Sequence, residues 1–206
     1  MKRILLTFMV LVAGLSMNAP DIKAQVNSRA STRQERMEQW HKDMAEFRAR
    51  SQQDHEIHQL ADSIAGVQAA AAMRNQDFVL EVQQVTFRSG MTTFVNSTTN
   101  FVSVKGNRAV VQISPSNFAS GPNGVGGVTV QGMISDPQVK TDNKGRVNYS
   151  FNVMGIGVNA QIEIYLFAGS NSATATIYPN FNSNTIWLQG NIVPYESSNV
   201  IEGSSL

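Results

Sequence analysis

Apolar side chains recur every three or four positions before Asn75 and every second position after Asp77. The chain is therefore predicted to change from helix to strand at that point. The alternation is strictest near the C-terminus. Val147, Tyr149, Phe151 and Val153 interleave with Asn148, Ser150 and Asn152, and Val158, Ala160, Ile162, Ile164 and Leu166 repeat the pattern. Ala173, Ala175 and Ile177 follow, and Ile186, Leu188 and Ile192 complete the series. Upstream, Phe78, Leu80 and Val82 alternate, but Val85 and Phe87 continue out of phase, which predicts a bulge. Phe101 to Val104 and Ala109, Val111 and Ile113 read as two strands, with Gly106-Asn107 as a two-residue hairpin connection. Val128, Val130 and Ile134 add another strand around Gly132. One face is apolar and the other polar throughout, as in an antiparallel sheet with a solvated side; buried parallel strands show continuous apolar runs instead. The predicted class is an all-β domain over residues 75–195. It is an antiparallel meander of about eight strands, either barrel-like or a two-sheet sandwich. Residues 196–206 contain Ser and Gly and read as a flexible tail.

Residues 25–74 form the predicted helical extension. Thr32-Arg33-Gln34-Glu35 fits a capping box. Met37, Trp40, Met44 and Phe47 then make one apolar stripe, and Ile57, Leu60, Ile64, Val67 and Ala71 make a second. At about 100° per residue the two stripes lie well over a third of a turn apart. A break or bend near Ser51-Gln52-Gln53-Asp54 is the favoured resolution, with that tetrad capping a second helix. The first stripe either pairs with another subunit or partner protein, or folds onto the chain's own β-domain. The second option is favoured because about two heptads are short for a coiled coil.

The first 24 residues change the expected compartment. Met1-Lys2-Arg3 is a short positive start, and Ile4 to Leu15 is almost purely apolar. A small and polar stretch ends at Ala24. This is the layout of a cleaved signal peptide, and about a dozen apolar residues fall short of the roughly 20 that a transmembrane helix requires. A periplasmic or secreted protein is expected, with no transmembrane span in the mature chain. The chain has no cysteine, so neither a disulfide framework nor a lipoprotein anchor is expected. Its net charge is +1, and loss of Lys2, Arg3, Lys23 and Asp21 with the leader brings it to −1. No field of one sign remains to attract nucleic acid.

Candidate chemistry is sparse. The three histidines all lie in the helical region. His55, His58 and Asp62 share a helix face and form a weak metal site at most; an ordinary polar face is the favoured reading. The glycine-rich Gly121 to Gly127 lacks the Gly-Lys-Ser/Thr of a phosphate loop and reads as a connection. There is no Gly-x-Ser-x-Gly elbow and no histidine in the β-region, so no catalytic residue is assigned, and neither an enzyme nor a cofactor is expected. Tyr165, Phe167, Tyr178 and Trp187 alternate opposite to the aliphatic residues of their strands. They suggest either a binding platform for sugar or protein, or a surface packed beneath the helices. The second option is favoured, because it would satisfy both the aromatics and the helical stripes.

The β-region resembles the family of exported Bacteroidetes proteins catalogued as domain of unknown function 4251. The residues that carry the resemblance are Asp77-Phe78-Val79-Leu80-Glu81, Asn100 to Asn107, Gly126 to Gly132, Val147 to Val153, Ser172 to Ala175 and Ile186 to Ile192. Together they span about Asn75 to Pro194. The resemblance implies no activity, ligand or functional residue. The chain departs from many members in lacking the lipoprotein cysteine. It also has Ile113-Ser114-Pro115-Ser116-Asn117 where an aromatic, proline-containing segment is associated with the family. The expected role is an exported, non-enzymatic binding or envelope-structural protein. The alternatives are a small barrel carrying an apolar or amphiphilic ligand and, remotely, a metal-dependent hydrolase.

Overall fold

The computed structural model describes residues 22–114, 127–155, 158–179 and 185–204, with helix side chains described from residue 32 onward. The predicted signal peptide, apart from its last residues, and the glycine-rich segment up to Gly126 lie outside the described residues, as do Pro115, Ser116 and Asn117. The chain divides into two compact units between Asp54 and His55.

One helix, α1, runs without interruption from Ile22 to Arg74. This corrects the expected break at Ser51–Asp54, and the helix begins ahead of the Thr32 capping box. Between residues 22 and 74 there is no proline and only one glycine, Gly66, while Ala, Arg, Gln, Glu and Met abound. Ser, Thr and Asp inside a helix cost only tenths of a kcal/mol each, too little to end it. The helix closes through Asn75 N–H donating to Ala71 O and Gln76 N–H donating to Met73 O. Gln76 takes a left-handed φ of 54° to leave it. Its carbonyl then accepts from Gly106 N at 2.8 Å, which joins the helix exit to a hairpin of the β-domain.

Within the second unit the strands are β1 (Asp77–Phe87), β2 (Thr92–Phe94), β3 (Phe101–Lys105), β4 (Arg108–Ile113), β5 (Val128–Thr141), β6 (Val147–Gly155), β7 (Val158–Leu166), β8 (Ser172–Pro179) and β9 (Ile186–Pro194). Each neighbour pair is antiparallel. β9 returns to pair with β1, from Phe78↔Pro194 to Phe87↔Ile186. Eight strands thus close a barrel, which settles the choice between barrel and sandwich. The ninth, β2, is an addition: it pairs with Gln84–Thr86 on the same edge of β1 that β3 occupies at Asp77–Glu81. The expected bulge is present, as a register shift between Val82 and Gln84. A second shift, between Ser135 and Gln138, holds Pro137 and Asp136, whose φ is 52°. A proline is tolerated there because the ladder is already interrupted.

The alternating apolar residues point inward. Phe78, Leu80, Val102, Val104, Tyr149, Phe151, Ile162, Ile164, Leu166, Leu188 and Ile192 are among those that fill the barrel. An eight-stranded barrel is just wide enough for its own side chains to occupy it. The last turns of α1 join this core through Ala69, Ala70, Ala72 and Met73. Gly66 sits so close to the β7–β8 turn that a β-carbon there would stand 2.9 Å from the Ser170 backbone. The docking face is therefore one of small residues. Ile57, Leu60, Ile64 and Val67, the second predicted stripe, remain exposed. Close approach of a helix backbone to a barrel rim selects Gly and Ala, and larger side chains on that face would hold it away.

The segment after Glu196 also differs from the expected loose tail. A single 3₁₀ turn, Tyr195–Ser197, leads it back over the outside of the barrel. There Tyr195, Val200 and Val193 pack on a small outer cluster of Val79, Phe101 and Val110. Ser198 Oγ donates to Glu81 at 2.9 Å, Ile201 N to Thr98 O at 2.8 Å, and Arg108 pairs with Glu202 at 2.6 Å. The buried Gln112 side chain holds the segment most directly: its Nε2 donates to Ile201 O and Thr99 O, and its Oε1 accepts from Gly203 N and Thr129 Oγ1. All the hydrogen-bonding capacity of that amide is used.

Candidate functional site

Strand alternation that sends Ile186 and Leu188 toward the core sends Trp187 outward. The register then sets its neighbours. Trp187 stands between Thr86 of β1 and Thr176 of β8, and Glu163 of β7 lies next to Thr176. The parallel row two residues along contains Gln84, Gln189, Thr174 and Tyr165. β2 extends the first row by Thr92, whose hydroxyl lies 2.9 Å from that of Thr86, and the second by Phe94. The outer face of β2-β1-β9-β8 thus carries aromatics among hydroxyl and amide groups, with Glu163 on β7 as the bordering charge.

Trp187, Tyr178 and Phe167 are exposed by 43%, 41% and 42%, and Tyr165 is half-buried. Within the barrel's own unit, the end of α1 meets the core through small residues rather than over these aromatics. The four do not form one cluster. Tyr165 and Phe167 make an edge-to-face pair with centroids 5.3 Å apart, and the Arg146 guanidinium lies 5.8 Å from the Tyr165 ring. Trp187 and Tyr178 lie further along β9 and β8. Strand spacing and rise separate Trp187 from Tyr165 by about 12 Å between Cα atoms. Phe94, 78% exposed, was missed in the sequence. Its strand has only three residues, too few to show a period, and the Gly90 turn before it was the available signal.

The other candidates come out differently. His55, His58 and Asp62 are exposed on α1, and His55 Nε2 lies 3.0 Å from Gln59 Nε2. No group of three or more His, Cys, Asp or Glu among the described residues is placed to hold a metal ion. Asp142 serves its turn, accepting from Lys144 N and Arg146 N and pairing with the Arg146 side chain. Met37, Trp40 and Phe47 are exposed and Met44 is half-buried on the first unit's helix.

Inside the barrel, Tyr149 is fully buried between Phe78 and Phe151. Its hydroxyl has no hydrogen-bond partner among the described residues. Burial pushes its pKa up to about 12. The unfolded chain ionises near pH 10, so the tyrosine's contribution is complete below that value and declines as pH rises toward 12. Tyr149→Phe removes an unpaired polar atom and is expected to stabilise the protein by about 1 kcal/mol. It should also reduce the loss of stability between pH 10 and 12. Denaturant unfolding at pH 8 and pH 11 tests both; a destabilised Phe variant would mean that the hydroxyl has a partner.

Three comparisons bear on the chain as a whole. The family model described as Domain of unknown function (DUF4251) matches residues 62–192. The chain is 50% identical to a DUF4251 family protein from Bacteroides eggerthii DSM 20697, known from a crystal structure at 1.95 Å. That likeness covers 68% of this chain and 95% of the other, with a TM-score of 0.60. No curated protein matches.

Proposed function

The chain belongs to the DUF4251 family, and from that premise we propose that it is an exported, non-catalytic binding protein of the cell envelope. Its ligand is an uncharged polyhydroxy compound, a glycan in chemical class, bound on the outside of the barrel. The observation that carries this reading is the placement of the aromatics. The interior is filled by aliphatic and aromatic side chains, while Trp187 stands exposed between two threonines. A half-exposed indole offers a flat apolar face to the C–H side of a sugar ring, and Thr and Gln beside it supply donors and acceptors. The near-neutral mature chain suits a ligand recognised without charge. Export rests on the predicted signal peptide, and no described helix is long and apolar enough to cross a membrane.

The test uses mature protein recovered after export and titrated with soluble oligosaccharides released from its own cell envelope. Saturable binding is expected, followed by isothermal titration calorimetry, with at least a tenfold weakening in Trp187→Ala, about the 1.4 kcal/mol of a single stacking contact. Equal binding by Trp187→Ala, or no binding by the wild type, would overturn the reading. A second reading, an amphiphilic ligand held inside the barrel, is favoured by one observation, the unpartnered Tyr149 hydroxyl. A retained mass of a few hundred daltons in native mass spectrometry would support that reading over the first.

A further inference from the structure

We propose that the N-terminal part of α1 is a self-association surface. Met37, Trp40, Met44 and Phe47 form a parallel two-stranded seam with the same residues of a second copy of this chain. Met37, Trp40 and Phe47 are 54%, 56% and 65% exposed. Their spacings of three, four and three place them on one helix face, at the a and d positions of two heptads. Apart from the half-buried Met44, every side chain from residue 32 to residue 64 is exposed, so the stripe stands in an otherwise solvated helix.

The flanking charges select the occupant. With Met37 and Met44 at a, the g positions are Arg36, Asp43 and Arg50, and the e positions include His41 and Arg48. A parallel pair sets each g residue against the e residue five positions on in the other chain. Asp43 then faces Arg48 of the second copy, and symmetry makes the contact twice. Arg36 faces the His41 imidazole. An antiparallel pair that keeps Met37 opposite Phe47 sets g against g. That arrangement puts Asp43 against Asp43 and Arg36 against Arg50, two sets of like charges. Opposite charges in one orientation and like charges in the other specify a parallel seam.

The seam is short. Eight side chains bury on the order of 800 Å² in total, below the roughly 1,200–2,000 Å² of a standard stable interface. The association is therefore a weak, reversible one, and its test must trap it. The chain has no cysteine, so a single introduced thiol reports one contact. In a parallel seam residue 44 meets its own counterpart, whereas in the antiparallel alternative it meets residue 40. Mature full-length Met44→Cys, oxidised with copper phenanthroline, is expected to cross-link to a dimer several-fold more than Glu46→Cys, which points away from the seam. Adding Arg48→Glu should lower that yield, and adding Asp43→Arg as well should restore it. All the positions are exposed or half-buried on the helix, and circular dichroism checks that it still forms. Equal cross-linking at 44 and 46, absence of cross-linking at both, or a yield indifferent to the charge changes would overturn the proposal. So would sedimentation of a monomeric protein with phosphatidylethanolamine–phosphatidylglycerol vesicles, which would assign the stripe to lipid.

Discussion

Gly190→Ala is expected to destabilise the β-barrel by roughly 3 kcal/mol or more, beyond the usual range for a modest overpacking change. Gly190 of β9 points inward opposite Val82, beside the point where β1 shifts register. A β-carbon at Gly190 would stand 2.0 Å from the Glu81 carbonyl oxygen, 2.8 Å from its carbon and 2.9 Å from the Val82 α-carbon. All three are backbone atoms. They cannot rotate away as the end of a side chain would, and β3 holds the same stretch of β1 from its other edge through Glu81↔Phe101. Relief requires β1 and β9 to part at the pairing that closes the barrel. Gly145→Ala is the matched control: it has a φ of 81° and open space around its β-position, so it should cost only about 1 kcal/mol of backbone strain. Urea unfolding of both variants decides the matter. A Gly190→Ala protein within 0.5 kcal/mol of wild type, on the order of a neutral surface change, would show that β1 yields at the bulge.

Asn100→Ala is the second change with a large expected effect, about 2–4 kcal/mol, because it removes several hydrogen bonds from a fully buried site. β3 ends its pairing with β4 at Phe101↔Gln112. The Asn100 side chain carries the ladder one step further. Its Oδ1 accepts from Ser114 N at 2.7 Å, and its Nδ2 donates to Ser114 O at 3.0 Å, so the amide takes the place of a peptide group. Nδ2 also donates to Asn96 O, while the Asn100 carbonyl accepts from Val82 N. One residue therefore connects β1 and β4 where the edge of β1 passes from β3 to β2. Truncation should lower stability and speed hydrogen exchange at Ser114 and Val82 ahead of the rest of the barrel. Uniform exchange with unchanged stability would mean that water substitutes for the amide.

Several features were legible because they are written in local periodicity. The alternation from Val147 to Val153 fixed which side chains of β6 enter the core. Gly106-Asn107 marked a tight turn, and the phase change after Val82 marked a bulge. The outward direction of Tyr165, Phe167 and Trp187 followed from the same alternation, so most of the candidate binding face was readable. Phe94 was not, because a three-residue strand shows no period. The two helical stripes suggested a break because they lie well over a third of a turn apart, an offset that a continuous helix carries without interruption. The residues that dock, Gly66, Ala69 and Ala70, give almost no hydrophobic signal, since their contribution is the close approach they permit.

The sequence by itself determined the two regions, the secondary structure of each, and the inward and outward faces of the strands. These depend on side chains near one another in the chain, where helical and extended geometry impose different repeats. Only the tertiary structure decided that β9 pairs with β1, that β2 lies outside the closed ring, that Asn100 and Gln112 join distant segments, and that the tail from Ser198 to Gly203 lies on the barrel. Each of these joins residues far apart in the chain. Whether they meet depends on the strand count, stagger and twist of the whole sheet, which no local window contains.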